Sequence, residues 1–222
     1  MESFLTLLAT VLAIHFLAVA SPGPDFLVVL KNSLSRSRKD GVMTALGVAL
    51  GISIHVFYCV AGLALIISQS IIAFDIIKTL GACYLLFLGG KVFYPKSAQS
   101  SKSSLVEKTA AKKTRAIPST ASPIDYRKSF VQGFVTNVFN PKATLFFLSL
   151  FTFVISPTVP KSWLAIFGVF MICNTFFWFA FVACVMTLKP VRNVYERFAK
   201  WIDYVCGAFF IALGIKLLTA KR

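Results

Sequence analysis

The sequence predicts an all-α membrane protein with six transmembrane helices, and three observations support this fold class. Hydrophobic residues make up 57% of the 222 residues and the mean hydropathy is +0.79, above the range of soluble domains, whose surface must carry charge. The apolar residues form six long runs, each near the length of about 20 residues that crosses a bilayer as a helix. The basic residues collect between alternate runs. The six expected helices cover residues 4–30, 42–68, 71–93, 130–155, 163–188 and 201–218.

The connections between these helices alternate in charge. Of the 23 Lys and Arg residues, 16 lie in three connections, at residues 31–40, 95–128 and 189–200. The other two connections, around residues 69 and 157, hold only Lys161. Because Lys and Arg are enriched in cytoplasmic loops, we expect the three basic connections in the cytoplasm and both termini outside. Basic residues confined to loops do not interleave with aromatic residues, so we expect no nucleic acid partner.

The longest connection divides the chain into two halves. Residues 95–128 are rich in Ser and Lys, contain Pro118 and Pro123, and have few bulky apolar side chains. Such a segment does not bury enough apolar surface to fold. We therefore expect a flexible basic cytoplasmic linker between helices one to three, in residues 1–94, and helices four to six, in residues 129–222. Attachment of the linker to anionic lipid is the alternative interpretation.

The two halves resemble each other locally. The segment GACYLLFLGGK at residues 81–91 is similar to GAFFIALGIK at residues 207–216, allowing one gap, and each half has a proline break in its first helix. A repeat of three helices contains an odd number of crossings, so the second copy enters the membrane upside down. The sequence therefore predicts two inverted three-helix repeats, as in many secondary transporters. Chance similarity of short apolar segments is the alternative.

The first break interrupts the first predicted helix. Pro22, Gly23 and Pro24 stand inside the apolar run and are followed by Asp25. Proline removes a backbone donor and disrupts the preceding turn, and a charge inside a membrane helix costs a few kcal/mol or more. Asp25 would begin a half-helix, where free N–H groups and the helix dipole favour an anion. We expect Asp25 to bind a proton or an ammonium group; a helix cap near the cytoplasmic surface is the alternative.

The second break interrupts the fourth predicted helix. It consists of Asn140, Pro141 and Lys142, again with a charge beside a proline. One interpretation is that Lys142 binds a carboxylate or is the counter-ion of Asp25. The other is an amine that extends along its helix toward water.

The fourth and second predicted helices each carry polar and small residues on one face. On the fourth helix these residues are Gly133, Asn137, Asn140 and Thr144, and on the second they are Thr44, Gly47, Gly51 and His55. Inside a bilayer such faces contact protein or water, so they line a cavity or bring helices close together. His55 would relay protons near neutral pH or would be hydrogen-bonded in helix packing. His15 and Asn174 are weaker candidates of the same kind.

Several chemistries lack their sequence signatures. The chain has two His residues in no ligand spacing, no phosphate-binding glycine loop and no nucleophile–base pair, so we expect no metal, no cofactor and no enzymatic activity. The five Cys residues are odd in number and form no C-x-x-C. A transmembrane thiol–disulfide carrier, which needs two cysteines that meet, is the least favoured alternative.

Short motifs follow one another in a definite order along the chain. They are Pro22-Gly23-Pro24-Asp25; Gly41, Leu46-Gly47, Gly51 and His55; Gly81-Ala82, Tyr84-Leu85 and Leu88-Gly89; and Gly133, Asn137 and Asn140-Pro141-Lys142-Ala143. Together they resemble the LysE/RhtB family of bacterial amino-acid exporters over residues 4–218, apart from the linker. The resemblance implies a six-helix inner-membrane protein that exports amino acids or similar small zwitterions, driven by the proton gradient. Phe151-Thr152-Phe153 stands where many members have Pro-Gln-Phe.

The sequence thus predicts a proton-coupled secondary transporter whose partners are an amino acid, protons and the lipid bilayer, with a homo-oligomer possible. The two broken helices would meet near the axis that relates the repeats and form one polar site. A passive channel for small polar solutes is the alternative, since Asn-Pro at a helix break also suits a channel. Matching break motifs in both halves would favour the channel, and here the two breaks differ.

Overall fold

The computed structural model describes residues 3–63, 71–93, 126–154 and 159–219. Every element in these ranges is helical. The helices are α1 (Phe4–Ala20), α2 (Pro24–Ser35), α3 (Arg38–Tyr58) with a π-helical continuation (Cys59–Leu63), α4 (Ile71–Phe93), α5 (Tyr126–Val138), α6 (Pro141–Val154), α7 (Lys161–Val185) and α8 (Lys189–Thr219). The predicted linker lies largely outside the described residues.

Four helices are long and apolar enough to cross a membrane. Their candidate spans are Arg38–Gly62, Asp75–Phe93, Ser162–Val185 and Lys200–Thr219. Helices α1 and α2 pass the same test only together, and they are bent by 58° at their break. Helix α6 is apolar but has only 14 residues. Within the described residues the chain is therefore a helical membrane protein with four candidate spans, or five if the bent pair is one span, and a sixth crossing stays a prediction.

Both predicted interruptions are present. Helix α1 ends at Ala20 and α2 begins at Pro24, while α5 ends at Val138 and α6 begins at Pro141. In each case a proline stands at the first position of the second helix, where its fixed φ fits and its missing N–H costs nothing. Proline thus ends one helix and starts the next at both breaks.

Several helices begin earlier than the hydropathy predicts. Helix α5 begins at Tyr126, inside the predicted linker, and α8 begins at Lys189, twelve residues before the expected start at residue 201. Once a helix exists, each added residue contributes a hydrogen bond without a new nucleation cost. Tertiary contact holds the polar extension of α8, because the ring of Tyr195 stacks on Phe26 of α2 at 5.2 Å. Hydropathy marks the membrane-spanning part of a helix and not its full length.

Two apolar cores lie on either side of the breaks. The larger core contains Val11, Ile14, Phe146, Phe147, Leu150, Phe167, Met171 and Phe210, with other residues of α1, α6, α7 and α8. The smaller core contains Phe26, Val29, Val48, Phe179 and Val182, from α2, the first half of α3 and the end of α7. The ends of α1 and α5 and the starts of α2 and α6 therefore meet where the two cores adjoin.

Small residues allow the helix backbones to touch. A Cβ atom on Gly47 of α3 would overlap the carbonyl of Phe130, and one on Gly133 of α5 would overlap the carbonyl of Thr44. These contacts fix the crossing of α3 and α5 and so set where the second break lies relative to α3. A larger side chain at either glycine would separate the two helices.

Glycine contacts of the same kind join α4 to α8. A Cβ atom on Gly89 would lie 2.5 Å from the carbonyl oxygen of Gly207, and one on Gly214 would lie 3.0 Å from that of Ala82. The order of these contacts makes the two helices antiparallel. The segments in contact are the two that resemble each other in sequence.

Candidate functional site

The two breaks meet at Asp25. The side-chain amides of Asn137 and Asn140 both donate to Oδ2 of Asp25, with N···O distances of 3.0 and 2.9 Å. These residues lie 112 and 115 positions from Asp25 in the sequence. Tertiary structure thus brings the acidic break of one half onto the polar break of the other.

The other carboxylate oxygen of Asp25 has no such donors. Oδ1 is buried and makes no hydrogen bond within the described residues. A buried oxygen without a donor costs free energy that a ligand donor would recover. Oδ1 of Asp25 is therefore a ready acceptor for a proton or an ammonium group.

Asn140 caps α6 and joins it to α2. Its Oδ1 accepts the backbone N–H of Lys142 at 3.0 Å, and its carbonyl accepts the N–H of Thr144 at 3.0 Å. Its side-chain nitrogen, Nδ2, donates to Oδ2 of Asp25. Asparagine is among the best N-cap residues because its side-chain oxygen accepts from the first turn. One side chain therefore starts α6 and orients the carboxylate of the first break.

Lys142 caps the C-terminus of α1. Its Nζ donates to the carbonyl oxygens of Ala18 and Ser21 at 3.0 and 2.8 Å. These oxygens belong to the C-terminus of α1, where the helix dipole favours a cation. The aliphatic stem passes Gly23, where a Cβ atom would lie 3.4 Å from Cδ of Lys142. Capping of α1 from the opposite half is a role of Lys142 that the sequence did not predict.

An open cleft lies at the breaks, between α1, α2, α3, α5, α6 and α7. Its polar side contains Ser21, Gly23, Asp25, Asn137, Asn140 and Lys142. Its other side contains His15, Ala18, Val19, Phe26, Ile52, Ala143, Phe146, Phe147 and Phe179. A mostly apolar cleft with a few convergent polar groups is the usual form of a small-molecule site. The described residues contain no group of three or more His, Cys, Asp or Glu that would hold a metal ion.

The other predicted site residues lie around this cavity rather than in it. His55 is buried, with Nε2 3.1 Å from the carbonyl oxygen of Asn137 and Nδ1 2.8 Å from the hydroxyl of Tyr58. Tyr58 also donates to the carbonyl of Thr144 at 3.4 Å, and Oγ1 of Thr144 donates to the carbonyl of Asn140 at 3.2 Å. His55 and Thr144 thus hold the backbone on both sides of the second break. Pro22, Pro24 and Pro141 shape the breaks without lining the cavity.

His15, a weaker candidate from the sequence, lies in the wall of the cavity. This residue is 1% exposed, lines the cavity and lies 3.2 Å from the amide of Asn174 and 3.4 Å from the hydroxyl of Thr175 on α7. The sequence predicted His15 and Asn174 as separate candidates, and the structure brings them into contact. A sequence signal did exist, because His15 precedes the first break by two helical turns.

Fold and site together define a helical membrane protein with a polar cavity at two broken helices. The LysE type translocator family matches residues 16–221, and the chain belongs to this family. The threonine efflux protein of Escherichia coli K12 is 33% identical over 222 residues, which cover 98% of this chain and 100% of that protein. The leucine efflux protein of Salmonella typhimurium LT2 is 35% identical over 211 residues, covering 91% and 90%. No solved structure matches the chain significantly. The family resemblance found in the sequence is confirmed.

Proposed function

We propose that this protein is a secondary transporter that exports amino acids or related small zwitterions across the bacterial inner membrane in exchange for protons. The observation that carries the proposal is that Oδ1 of Asp25 is buried without a hydrogen bond from the described residues, in a cavity where two half-helices begin. The names of the threonine and leucine efflux relatives support an amino acid as substrate.

The cavity suits both charges of a zwitterion. The ammonium group of the substrate donates to Oδ1 of Asp25, which has no other donor within the described residues. The substrate carboxylate binds at the start of α6, where the helix dipole is positive. Pro141 has no N–H and Asn140 caps that of Lys142, so the dipole rather than a row of free N–H groups attracts the carboxylate. Ala143 of that first turn lines the cavity. The side chain of the substrate then faces the aromatic wall, which favours an uncharged side chain because a further charge would be desolvated there.

Proton coupling follows from a single carboxylate that takes one cation at a time. The ionised Asp25 binds the ammonium group, and a proton that binds Asp25 from the outer side displaces the substrate. Neither asparagine bonded to Oδ2 ionises, so Asp25 alone changes charge among these three side chains. His55 lies behind Asn137 and contacts the second break through its backbone.

The test uses purified protein in liposomes loaded with radiolabelled threonine or leucine. An imposed pH gradient accelerates efflux of the transported amino acid, and a proton ionophore removes this acceleration. A passive channel gives the same flux with and without the gradient, and that result would contradict antiport. If the protein with all five cysteines replaced still transports, the thiol–disulfide carrier is excluded.

We also propose six crossings arranged as two inverted repeats, with both termini outside and residues 95–128 in the cytoplasm. The antiparallel packing of the similar segments of α4 and α8 supports the repeat, since a two-fold axis in the membrane plane would bring equivalent helices together in this way. The alternation of basic connections supports the orientation. Protease sites added at both termini test it. Cleavage of both in intact spheroplasts is the expected result, and protection of either one would contradict the proposed topology.

A further inference from the structure

The apolar side of the cavity contains one polar side chain among the described residues that line it, and this side chain is His15. Its neighbours there include Phe146 and Phe147, whose ring centroids lie 6.2 and 5.7 Å from that of the imidazole. His15 is 1% exposed. A buried polar group in apolar surroundings costs free energy unless it has hydrogen-bond partners. The proposed export mechanism uses Asp25 and the start of α6, and it gives His15 no role.

Helix α7 supplies the hydrogen-bond partners of the His15 ring. The amide nitrogen of Asn174 lies 3.2 Å from Nδ1, and the hydroxyl of Thr175 lies 3.4 Å from Nε2. A hydrogen bond between nitrogen and oxygen usually measures about 2.7–3.2 Å, so the contact with Thr175 is long. Asn174 therefore holds the ring by one nitrogen, while Nε2 is loosely engaged and can exchange Thr175 for another hydroxyl.

The length of a small amino acid matches the distance from the first break to His15. His15 lies six residues before Ser21, which corresponds to about 9 Å along the axis of α1. A hydroxyl on the β-carbon of an amino acid is about 3.5 Å from the ammonium nitrogen, and a hydrogen bond at each end adds about 3 Å. A substrate whose ammonium group binds Asp25 therefore reaches the level of His15 with its side chain.

We propose that His15 determines substrate specificity by binding a hydroxyl group on the substrate side chain. The inference rests on the proposed export function. A hydroxyl accepts from a ring N–H and donates to a ring nitrogen, so it pairs with His15 in either tautomer. A methyl group does neither. The substrates selected are therefore small amino acids with a side-chain hydroxyl, such as threonine, over aliphatic amino acids of the same size, such as valine.

The size of this preference depends on what His15 contacts when the hydroxyl is missing. A site that binds a substrate hydroxyl rejects the analogue without it, because the polar groups of the site are left unpaired. Here the hydroxyl of Thr175 remains as a substitute partner for Nε2 when valine is bound, so part of the loss is recovered. We therefore expect a preference of about tenfold, well below that of a site with no substitute partner.

The test compares threonine with valine, which have the same shape and differ by a hydroxyl in place of a methyl group. Both amino acids, with different radiolabels, are loaded together into liposomes that contain the purified protein, and the ratio of their initial efflux rates is measured. Loss of folded protein lowers both rates and leaves the ratio unchanged. We expect wild type to favour threonine by about tenfold, and His15→Leu to reduce the ratio to about one or below.

Thr175→Val is the matched control. It removes the hydroxyl that contacts Nε2 and so weakens the same link between α1 and α7, but it leaves the imidazole in the wall of the cavity. If His15 serves only to join the two helices, both variants lower the ratio alike. If His15 binds the substrate, Thr175→Val keeps the preference for threonine or raises it, because His15 then has no substitute partner when valine is bound.

The remaining outcomes separate a wrong specificity residue from a wrong function. The same ratio in wild type and His15→Leu, or an equal fall in His15→Leu and Thr175→Val, would overturn the inference. If wild type exports valine or leucine at least as fast as threonine, the inference is overturned while the proposed export function stands. If wild type exports none of these three amino acids, the export function is rejected and the inference is rejected with it.

Discussion

The two breaks differ in how they are completed. The second break is capped by its own asparagine, because the side chain of Asn140 accepts the N–H of Lys142. At the first break Gly23 precedes α2 and has no side chain to cap it, and the two helices are bent by 58°. Asn140 and Lys142 instead supply partners to the first break, one to Asp25 and one to the end of α1. The comparison teaches that the second break supplies the hydrogen bonds that hold both breaks, and that the first break carries the carboxylate to which we assign binding and release.

The largest effect is expected at the carboxylate of the first break. Asp25→Asn keeps the size of the side chain but removes the charge that binds an ammonium group or a proton, so coupled export should fall by about a hundredfold or more. Asp75→Asn, at an exposed position on α4, should export like wild type. The measurement is the initial rate of amino acid efflux from liposomes with an imposed pH gradient. Normal coupled export by Asp25→Asn would mean that another group carries the proton.

A change at the cap of the second break should separate binding from folding. Asn140→Asp keeps an N-cap acceptor but replaces the amide that donates to Asp25 with a second carboxylate. Repulsion between the two carboxylates should leave one of them protonated, so substrate affinity at neutral pH should fall by about tenfold with little loss of thermal stability. Asn140→Ala loses the cap as well, which typically costs about 1 kcal/mol.

Substrate binding by scintillation proximity and unfolding temperature by intrinsic fluorescence test this pair. A loss of stability in Asn140→Asp as large as in Asn140→Ala would show that the second carboxylate itself destabilises the fold, and the expected separation of binding from folding would be wrong.

The cation of the second break should matter mainly for stability. Lys142→Met keeps the aliphatic stem but removes the hydrogen bonds from Nζ to Ala18 and Ser21. Hydrogen bonds to a charged group contribute about 1.5–3 kcal/mol each, so the unfolding temperature should drop by several degrees. Coupling to protons should persist in the protein that remains folded. If Lys142→Met unfolds like wild type but no longer binds substrate, Lys142 contacts the substrate carboxylate directly.

The smallest effect is expected at His55. His55→Gln supplies a side-chain amide near the carbonyl of Asn137 and the hydroxyl of Tyr58, and coupled export should change by less than about threefold. A residue that carries the transported proton would not tolerate this change, because glutamine does not ionise. The pH dependence of export in His55→Gln should therefore match that of wild type. An export rate that no longer responds to pH would mean that His55, rather than Asp25, carries the transported proton.

Helix boundaries show where sequence reasoning worked and where it did not. The two breaks were placed within a residue or two, because proline acts on its own backbone and the preceding turn. The start of α8 was missed by twelve residues, because contacts such as that between Tyr195 and Phe26 hold its polar extension. The number of crossings and the inverted repeat stay predictions.

The sequence by itself determined the helical membrane class, the two breaks, the residues in them and the family. All of these depend on composition or on short-range chemistry. Only the tertiary structure decided that Asn137 and Asn140 bind Asp25, that Lys142 caps α1 and that His15 lines the cavity. The physical reason is that membrane helices are apolar on nearly all faces. Their hydrophobic pattern therefore does not tell which face turns inward, and this is fixed by close contacts such as those of Gly47 and Gly133.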